Sequence, residues 1–186
     1  MRIVSGYLKG RKITLPKNKF TRPLKDLTKE SIFNIIEHSN LLNLSLKKSK
    51  VLDIFSGVGS FGLECISRGA QNVAFCENYP PAIEMLEQNI INLNCEQKTK
   101  IIKKNIFNIR NLIELNKKKF DIIFLDPPYK EKELTKLLDD IICLNLLNNN
   151  GVIIIHRHKK EKETFSKEFK ILKIKTYGIS KIIFGN

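Results

Sequence analysis

The chain has 186 residues and a mass of 21.5 kDa, a size typical of one domain rather than two. Hydrophobic residues make up 42% and charged residues 28%, so the chain contains enough apolar material for a core and is not typical of a disordered protein. No apolar run approaches the ~18 residues of a membrane-spanning helix, and no signal-peptide core follows the first residues. We therefore expect neither secretion nor membrane insertion.

The positive charge of the chain, +14 in total, is distributed unevenly. Residues 1–50 contain 12 basic and 3 acidic side chains, residues 51–97 contain 1 and 6, and residues 98–186 contain 20 and 10. A uniform mutational bias toward lysine would not spare the middle block. We interpret the N-terminal excess as a surface for a polyanion, with nucleic acid as the leading class and a merely solvated lysine face as the alternative.

Residues 1–45 are predicted to form a small basic hairpin followed by a helix, as an extension of a domain at 46–186. The segment 2–15 alternates apolar and polar residues on either side of a glycine-containing break, which favours a hairpin. After 21–23, Asp26 or Thr28 is a candidate N-cap for the helix. Its apolar stripe consists of Ile32, Phe33, Ile35 and Ile36.

From residue 51 onward, short apolar strands alternate with helical segments. The predicted strands are 51–55, 73–76, 100–103, 121–125 and 152–156, and the helices between them are 62–67, 81–94, 109–116 and 133–147. This alternation predicts βαβ units in a doubly wound three-layer α/β sandwich. Segments 171–176 and 179–184 are predicted to form an antiparallel hairpin, which completes a mostly parallel sheet of seven strands.

The first strand of this pattern runs into a glycine-rich turn, where Gly57, Gly59 and Gly62 form G-x-G-x-x-G. Such glycines let the backbone approach a ligand closely. Glu77, 18 residues after Gly59, ends the next strand and can accept hydrogen bonds from both hydroxyls of a ribose. Asp53 is costly to bury unless it faces a cationic or hydrogen-bonding ligand. The positively charged amino-acid moiety of S-adenosylmethionine would satisfy Asp53, whereas the pyrophosphate of a dinucleotide would be repelled by it. The alternative interpretation is that the glycines only form a tight turn and that Glu77 is an ordinary exposed acid.

A second motif, Asp126-Pro127-Pro128-Tyr129, follows the fourth strand. It suits methyl transfer to an exocyclic amine of a nucleobase, because the Asp126 carboxylate and the rigidly held Pro127 carbonyl can accept both amine hydrogens. Tyr129 offers a face on which an extruded base can stack. An ionised carboxylate only accepts, which matches the two donors on the Watson–Crick edge of guanine, although aspartate does not exclude adenine. A rigid turn carrying a surface tyrosine is the alternative.

The cysteines and histidines show no metal-binding pattern. Cys65, Cys76, Cys95 and Cys143 form no CxxC pair, and we interpret them as buried thiols in a reducing cytosol. His156 and His158 alternate at a strand end without carboxylate or cysteine neighbours, so no metal site is predicted there.

The two motifs together resemble class I S-adenosylmethionine-dependent methyltransferases. Residues 2–6, 9–12, 21–23 and 30–34 are similar to the RsmD family of bacterial 16S rRNA (guanine-N2)-methyltransferases, and the resemblance extends from Arg2 to the closing hairpin. It implies methylation of one guanine N2 in 16S rRNA, within a partly assembled 30S subunit in the cytoplasm. For a protein of this size a monomer is the default expectation.

The resemblance also implies roles for individual residues. The candidate catalytic residues are Asp126, Pro127, Pro128 and Tyr129. The candidate cofactor-binding residues are Asp53, Phe55, Ser56, Gly57, Gly59, Glu77, Asn105 and Asp126, with Asn105 at the adenine ring. The candidate RNA-binding residues are Arg2, Lys9, Arg11, Lys12, Lys17, Lys19, Arg22 and Lys25. The chain departs from the family at Tyr79-Pro80, where Asp-Arg is usual, at Lys29, where Arg is usual, and near His156, where a Glu is common.

Three other functions share part of this pattern. A DNA adenine-N6 methyltransferase uses the same tetrad but normally needs a target-recognition region, and no insertion here is long enough for one. An NAD-dependent oxidoreductase shares the glycine-rich turn but leaves the 126–129 motif unexplained. A non-catalytic RNA-binding module explains the charge but requires neither Asp53 nor Asp126.

Overall fold

The computed structural model describes residues 1–16, 24–39, 42–115, 119–128 and 131–186. Seven strands form one sheet: β1 (Lys50–Ile54), β2 (Asn72–Cys76), β3 (Thr99–Ile102), β4 (Phe120–Leu125), β5 (Leu147–His158), β6 (Ile171–Tyr177) and β7 (Ser180–Gly185). The strand order is β3-β2-β1-β4-β5-β7-β6. Strands β1 to β5 are parallel to their neighbours in this group, while β7 is antiparallel to both β5 and β6. The predicted sheet and closing hairpin are confirmed.

The helices of the described residues are α1 (Asp26–His38), α2 (Ser60–Ser67), α3 (Pro80–Asn92), α4 (Ile109–Ile113) and α5 (Leu134–Cys143), with a 3-10 turn at Glu96–Lys98. None of them is long and apolar enough to cross a membrane. The N-cap of α1 is Lys25, so the predicted cap at Asp26 or Thr28 is wrong. Helix α5 ends earlier than predicted because Asn145 adopts a left-handed φ of 52° and the chain enters β5 at Leu147.

The core lies on both faces of the sheet. On one face, α1 and α2 contribute Phe33 and Phe61, which stack at 5.2 Å between ring centroids, and Phe61 stacks on Phe124 of β4 at 4.0 Å. On the other face, α4 and α5 contribute Leu112 and Leu137. Because side chains alternate along a strand, each central strand supplies both clusters. The predicted three-layer arrangement is confirmed.

The N-terminal segment is fastened to α2. A single antiparallel bridge between Arg2 and Lys12 closes the predicted hairpin. The backbone N–H groups of Val4 and Ser5 donate to the carboxylate of Glu64 at 2.8 and 2.9 Å. Lys29 of α1, fully buried, lies 3.3 Å from the same carboxylate. Helix α1, the hairpin and α2 therefore meet at one buried acid.

The cysteines are only partly as predicted. Cys65, Cys76 and Cys95 are buried, and burial raises the pKa of each thiol. Cys143 is exposed, so its predicted burial is wrong. It ends α5 on the side opposite the helix's buried leucines, so it packs against nothing in the core.

Candidate active site

A cavity of about 750 Å³ opens at the carboxyl ends of β1, β2 and β4. In a doubly wound sheet, ligands bind where the chain order reverses, which here is between β1 and β4. The candidate residues that line the cavity are Asp53, Phe55, Ser56, Gly57, Glu77, Asp126, Pro127 and Pro128. The structure therefore brings most of the predicted cofactor and catalytic residues together.

Asp53 forms a buried acidic floor for this cavity. Its side chain leaves β1 toward α2, is 1% exposed, and accepts a hydrogen bond from the Gly62 N–H at 2.9 Å. Burial raises the pKa of Asp53 well above its ordinary value, and the charges of Asp126 and Glu77 raise it further, against the opposing hydrogen bond. Three carboxylates around one cavity favour a cationic ligand.

Glu77 is oriented by the turn that follows β1. Its Oε2 accepts a hydrogen bond from the Gly57 N–H at 2.7 Å, and its Oε1 accepts from the N–H groups of Asn78 and Tyr79 at 2.9 and 3.0 Å. In the same turn Phe55 adopts a φ of 60°, a conformation that costs a non-glycine residue about 1–3 kcal/mol. The strained turn places Phe55 against the cavity and holds the glutamate beside it.

Two predicted cofactor residues do not line the cavity. Gly59 instead permits tight packing, since a Cβ there would lie 2.5 Å from Leu86 Cδ1. Asn105 is exposed, and its Oδ1 accepts a hydrogen bond from the Phe107 N–H at 3.0 Å. Phe107, which sequence reasoning missed, lines the cavity and packs on Phe55 with ring centroids 5.5 Å apart. The feature of the sequence that could have identified Phe107 is the presence of an aromatic residue soon after β3.

The residues around the cavity fit S-adenosylmethionine. Ser56 Oγ is buried and has no hydrogen-bond partner among the described residues, so the site offers an unused polar atom. The acids Asp53 and Glu77 suit, respectively, an ammonium group and ribose hydroxyls. The aromatic rings of Phe55 and Phe107 offer faces for a purine.

The 126–128 segment also lines the cavity. The Asp126 N–H donates to the Ile54 carbonyl at 3.3 Å, and Asp126 Oδ1 lies 2.8 Å from Nδ1 of His156. The Pro127 carbonyl accepts no hydrogen bond from any residue in the described ranges. Tyr129 lies outside the described residues.

Arg157, which sequence reasoning also missed, clamps the loop after β4. This buried side chain donates to the carbonyls of Pro128 and Glu131 at 2.9 and 3.2 Å, and to Glu163 at 2.8 Å. Burial alone would raise the pKa of Glu163, but hydrogen bonds from Lys181 and Arg157 outweigh it and lower that pKa. The loop is therefore held by a buried ionic network.

The candidate RNA-binding residues lie at the surface of the N-terminal segment. Arg2, Lys9, Arg11, Lys12 and Lys25 are all exposed. Lys17, Lys19 and Arg22 lie outside the described residues. Leu15 and Leu24, which flank that stretch, line the cavity. The basic segment therefore borders the site.

Three residues at positions that depart from the family pattern have structural roles. Tyr79 and Pro80 form the start of α3, with Pro80 as its first residue, where proline's fixed φ suits a helix. Lys29 donates from Nζ to the Arg2 carbonyl at 2.9 Å.

Comparisons with known proteins identify the family of this chain. The family model described as Conserved hypothetical protein 95 matches residues 1–186. Ribosomal RNA small subunit methyltransferase D of Haemophilus influenzae is 29% identical over 180 residues, which cover 96% of this chain and 90% of that protein. The protein of the same name from Buchnera aphidicola subsp. Baizongia pistaciae is 36% identical over 157 residues, covering 84% and 76%.

A solved structure shares the fold. SMU.776, determined in complex with S-adenosylhomocysteine, has a TM-score of 0.65 at 18% identity and covers 85% of this chain and 49% of that chain. The matched family model extends over the whole sequence. The chain therefore belongs to the RsmD family of S-adenosylmethionine-dependent methyltransferases.

Proposed function

We propose that this chain transfers the methyl group of S-adenosylmethionine to the exocyclic N2 of a guanine in 16S rRNA. The observation that carries the proposal is that one cavity is lined both by Asp53 and Glu77 and by Asp126 and Pro127. The names of the two relatives, both small-subunit rRNA methyltransferases, support rRNA over DNA as the substrate.

Four of the lining residues, Asp53, Phe55, Glu77 and Phe107, would hold S-adenosylmethionine, which would supply an electrophilic methyl group on a sulfonium. Asp53 accepts from the ammonium of its amino-acid moiety, and its burial strengthens that attraction. Glu77, whose oxygens are oriented by three backbone N–H groups, accepts from the ribose hydroxyls. Phe55 and Phe107, which both line the cavity, would enclose the purine.

The 126–128 segment orients the amine of the base. The Asp126 carboxylate and the Pro127 carbonyl accept its two hydrogens, which aims the nitrogen lone pair toward the methyl group. The Pro128 carbonyl cannot serve in this way, since Arg157 and the Glu131 N–H already donate to it. No strong base is needed, because the methylated cation loses its proton readily, and Asp126 is the nearest acceptor.

The choice of guanine follows from the acceptor-only character of Asp126. Guanine offers two donors on its Watson–Crick edge, N1–H and the 2-amino group, whereas adenine offers a donor and an acceptor. An ionised carboxylate matches the guanine pattern. Equal rates of methylation on adenine-only oligonucleotides would contradict this specificity.

RNA contact is assigned to the basic extension at residues 1–45. Its exposed side chains Arg2, Lys9, Lys12 and Lys25 lie on the same extension as Leu15 and Leu24, which line the cavity. Such a surface binds phosphates without reading sequence, which leaves base selection to the cavity. The natural substrate in this proposal is a partly assembled 30S subunit, and the enzyme acts as a monomer.

The test uses 16S rRNA and small subunits from a strain that lacks the protein. Each is incubated with purified enzyme and methyl-tritiated S-adenosylmethionine, then digested to nucleosides for mass spectrometry. We expect N2-methylguanosine with the wild type and with Asp140→Ala, a control on α5 away from the cavity, and none with Asp126→Ala. N6-methyladenine in DNA with unlabelled RNA would overturn the substrate.

The same assay distinguishes the finer points of the proposal. Faster labelling of small subunits than of naked 16S rRNA would support the ribonucleoprotein as substrate, and the reverse order would contradict it. Sedimentation of the active enzyme as a species of about twice 21.5 kDa would contradict the monomer.

A further inference from the structure

His156 connects the catalytic end of β4 to β7. Its Nδ1 lies 2.8 Å from Asp126 Oδ1, and its Nε2 lies 2.9 Å from the Ser180 hydroxyl oxygen. The ring is 5% exposed and lines the cavity. Leu125 of β4 lies opposite Ile155 of β5, so Asp126 and His156 are the next residues on two neighbouring parallel strands. The sheet, and not a flexible loop, therefore sets this contact.

The atoms around the ring determine where its proton resides. An ionised carboxylate can only accept, so Nδ1 of His156 donates to Asp126. The Ser180 hydroxyl can donate to Nε2 or accept from it, and it is itself buried at 3% exposure. Both partners hold the ring in one orientation, and the Asp126 carboxylate assigns a hydrogen to Nδ1.

We propose that His156 is a positioning residue for methyl transfer, whose Nδ1–H holds one oxygen of Asp126 so that the other is free to accept from the amine of the base. The inference rests on the proposed function for the identity of that amine. Among the described residues, His156 is the one side chain that hydrogen-bonds to the Asp126 carboxylate. Without it, this partly exposed carboxylate would rotate about its broad terminal torsion.

Three substitutions separate positioning from packing. The amide nitrogen of asparagine is as many bonds from Cα as Nδ1 of histidine. The amide nitrogen of glutamine is as many bonds from Cα as Nε2 of histidine. Leucine provides no hydrogen-bond donor. We expect His156→Leu and His156→Gln to lower kcat on rRNA by about 10- to 100-fold, with the Kd for S-adenosylmethionine nearly unchanged. His156→Asn should retain kcat within about fivefold.

The matched control is His158, two residues farther along β5. It hydrogen-bonds to the Lys160 N–H and does not line the cavity, so His158→Leu should retain wild-type kcat. A wild-type kcat in His156→Leu would overturn the inference. So would an equal loss of kcat in the Asn, Gln and Leu variants with folded spectra.

A spectroscopic measurement tests the contact without substrate. The chain has three histidines, so the ring nitrogens of a 15N-labelled sample can be assigned by comparison with His156→Asn. We expect Nδ1 of His156 to be protonated in the wild type, and this signature to be lost in Asp126→Ala. A neutral ring protonated only at Nε2 would overturn the inference, even if the leucine variant does not fold.

The two measurements distinguish this inference from the proposed function. If the wild-type enzyme transfers no methyl group to rRNA, the proposed function fails, and the tautomer of His156 still decides the positioning contact. If the wild type methylates guanine N2 but the three variants behave alike, only the role of His156 is rejected.

Discussion

Replacing Glu64 with alanine should detach the N-terminal segment and destabilise the whole fold. Glu64 is fully buried, and its carboxylate accepts from the N–H groups of Val4 and Ser5 and from Arg68 Nε, each within 2.9 Å. The substitution leaves Lys29, also fully buried, with Asp26 at 3.9 Å as its remaining carboxylate among the described residues. The change therefore removes the nearer carboxylate from the buried Lys29 and leaves the N–H groups of Val4 and Ser5 without their acceptor.

Glu64→Ala should lower the free energy of unfolding by about 3–5 kcal/mol, which is the cost of removing one partner of a buried ion pair. At this chain length each kcal/mol corresponds to about 2–4 °C, so Tm should fall by about 6–20 °C. Lys29→Met should cost less, about 1–3 kcal/mol, because Glu64 keeps Arg68 and both backbone donors. Glu64→Gln should lie between the two, since its amide oxygen still accepts.

Urea unfolding gives the free-energy differences, and hydrogen exchange locates them. In Glu64→Gln the amides of Val4 and Ser5 should lose protection before those of the central strands. A Glu64→Ala protein within 1 kcal/mol of the wild type, as a rough threshold, would refute the reasoning. A larger loss in Lys29→Met than in Glu64→Ala would refute it as well.

Three further predictions concern the cofactor, the core and RNA. The pKa of Asp53 is raised in the folded state, so at pH values above the unfolded pKa this carboxyl destabilises the folded protein. Asp53→Asn should therefore raise Tm at neutral pH. The same substitution should weaken the binding of S-adenosylmethionine. Calorimetry at a series of pH values should show that the affinity of the wild type for S-adenosylmethionine falls as the pH is lowered and Asp53 becomes protonated. The affinity of the Asp53→Asn variant should not change with pH. The same pH dependence in both proteins would contradict this prediction. Gly62→Ala should cost about 1–3 kcal/mol in urea unfolding, because the new Cβ would lie 2.3 Å from Phe75 Cε1, and unchanged stability would argue against close packing. Reversing the charges of Arg11 and Lys12 should weaken rRNA binding and reduce its log–log salt slope by about 2, measured by fluorescence anisotropy; unaltered binding would remove these residues from the RNA surface.

Local pattern was enough to predict the elements and much of the cavity. The strand that contains Asp53 and the strand before Asp126 were each evident from a short apolar run, and the glycine-rich turn indicated where the helix begins. Parallel strands end at the same edge of a sheet, so acids at their ends converge. The cavity contains Asp53, Glu77 and Asp126 for this reason.

Other features depended on tertiary structure. The contact of His156 with Asp126 joins residues 30 apart, and Glu64 meets Val4 across 60 residues. Such pairs are decided by strand order and register, which the period of the hydrophobic pattern does not encode. For the same reason Phe107, and not the predicted Asn105, lines the cavity, since the path of the loop after β3 follows from its packing on Phe55.

The sequence by itself determined the class of fold and the chemistry of the site, because periodicity and short motifs act over a few residues. The tertiary structure decided which groups hold those motifs in place: Arg157 on the loop carbonyls, His156 on the acceptor carboxylate, and Glu64 beneath the N-terminal segment. Each of these is a charged or polar side chain brought out of water by packing. Its partner is specified only once the sheet has assembled, because burial makes an unpaired polar group costly.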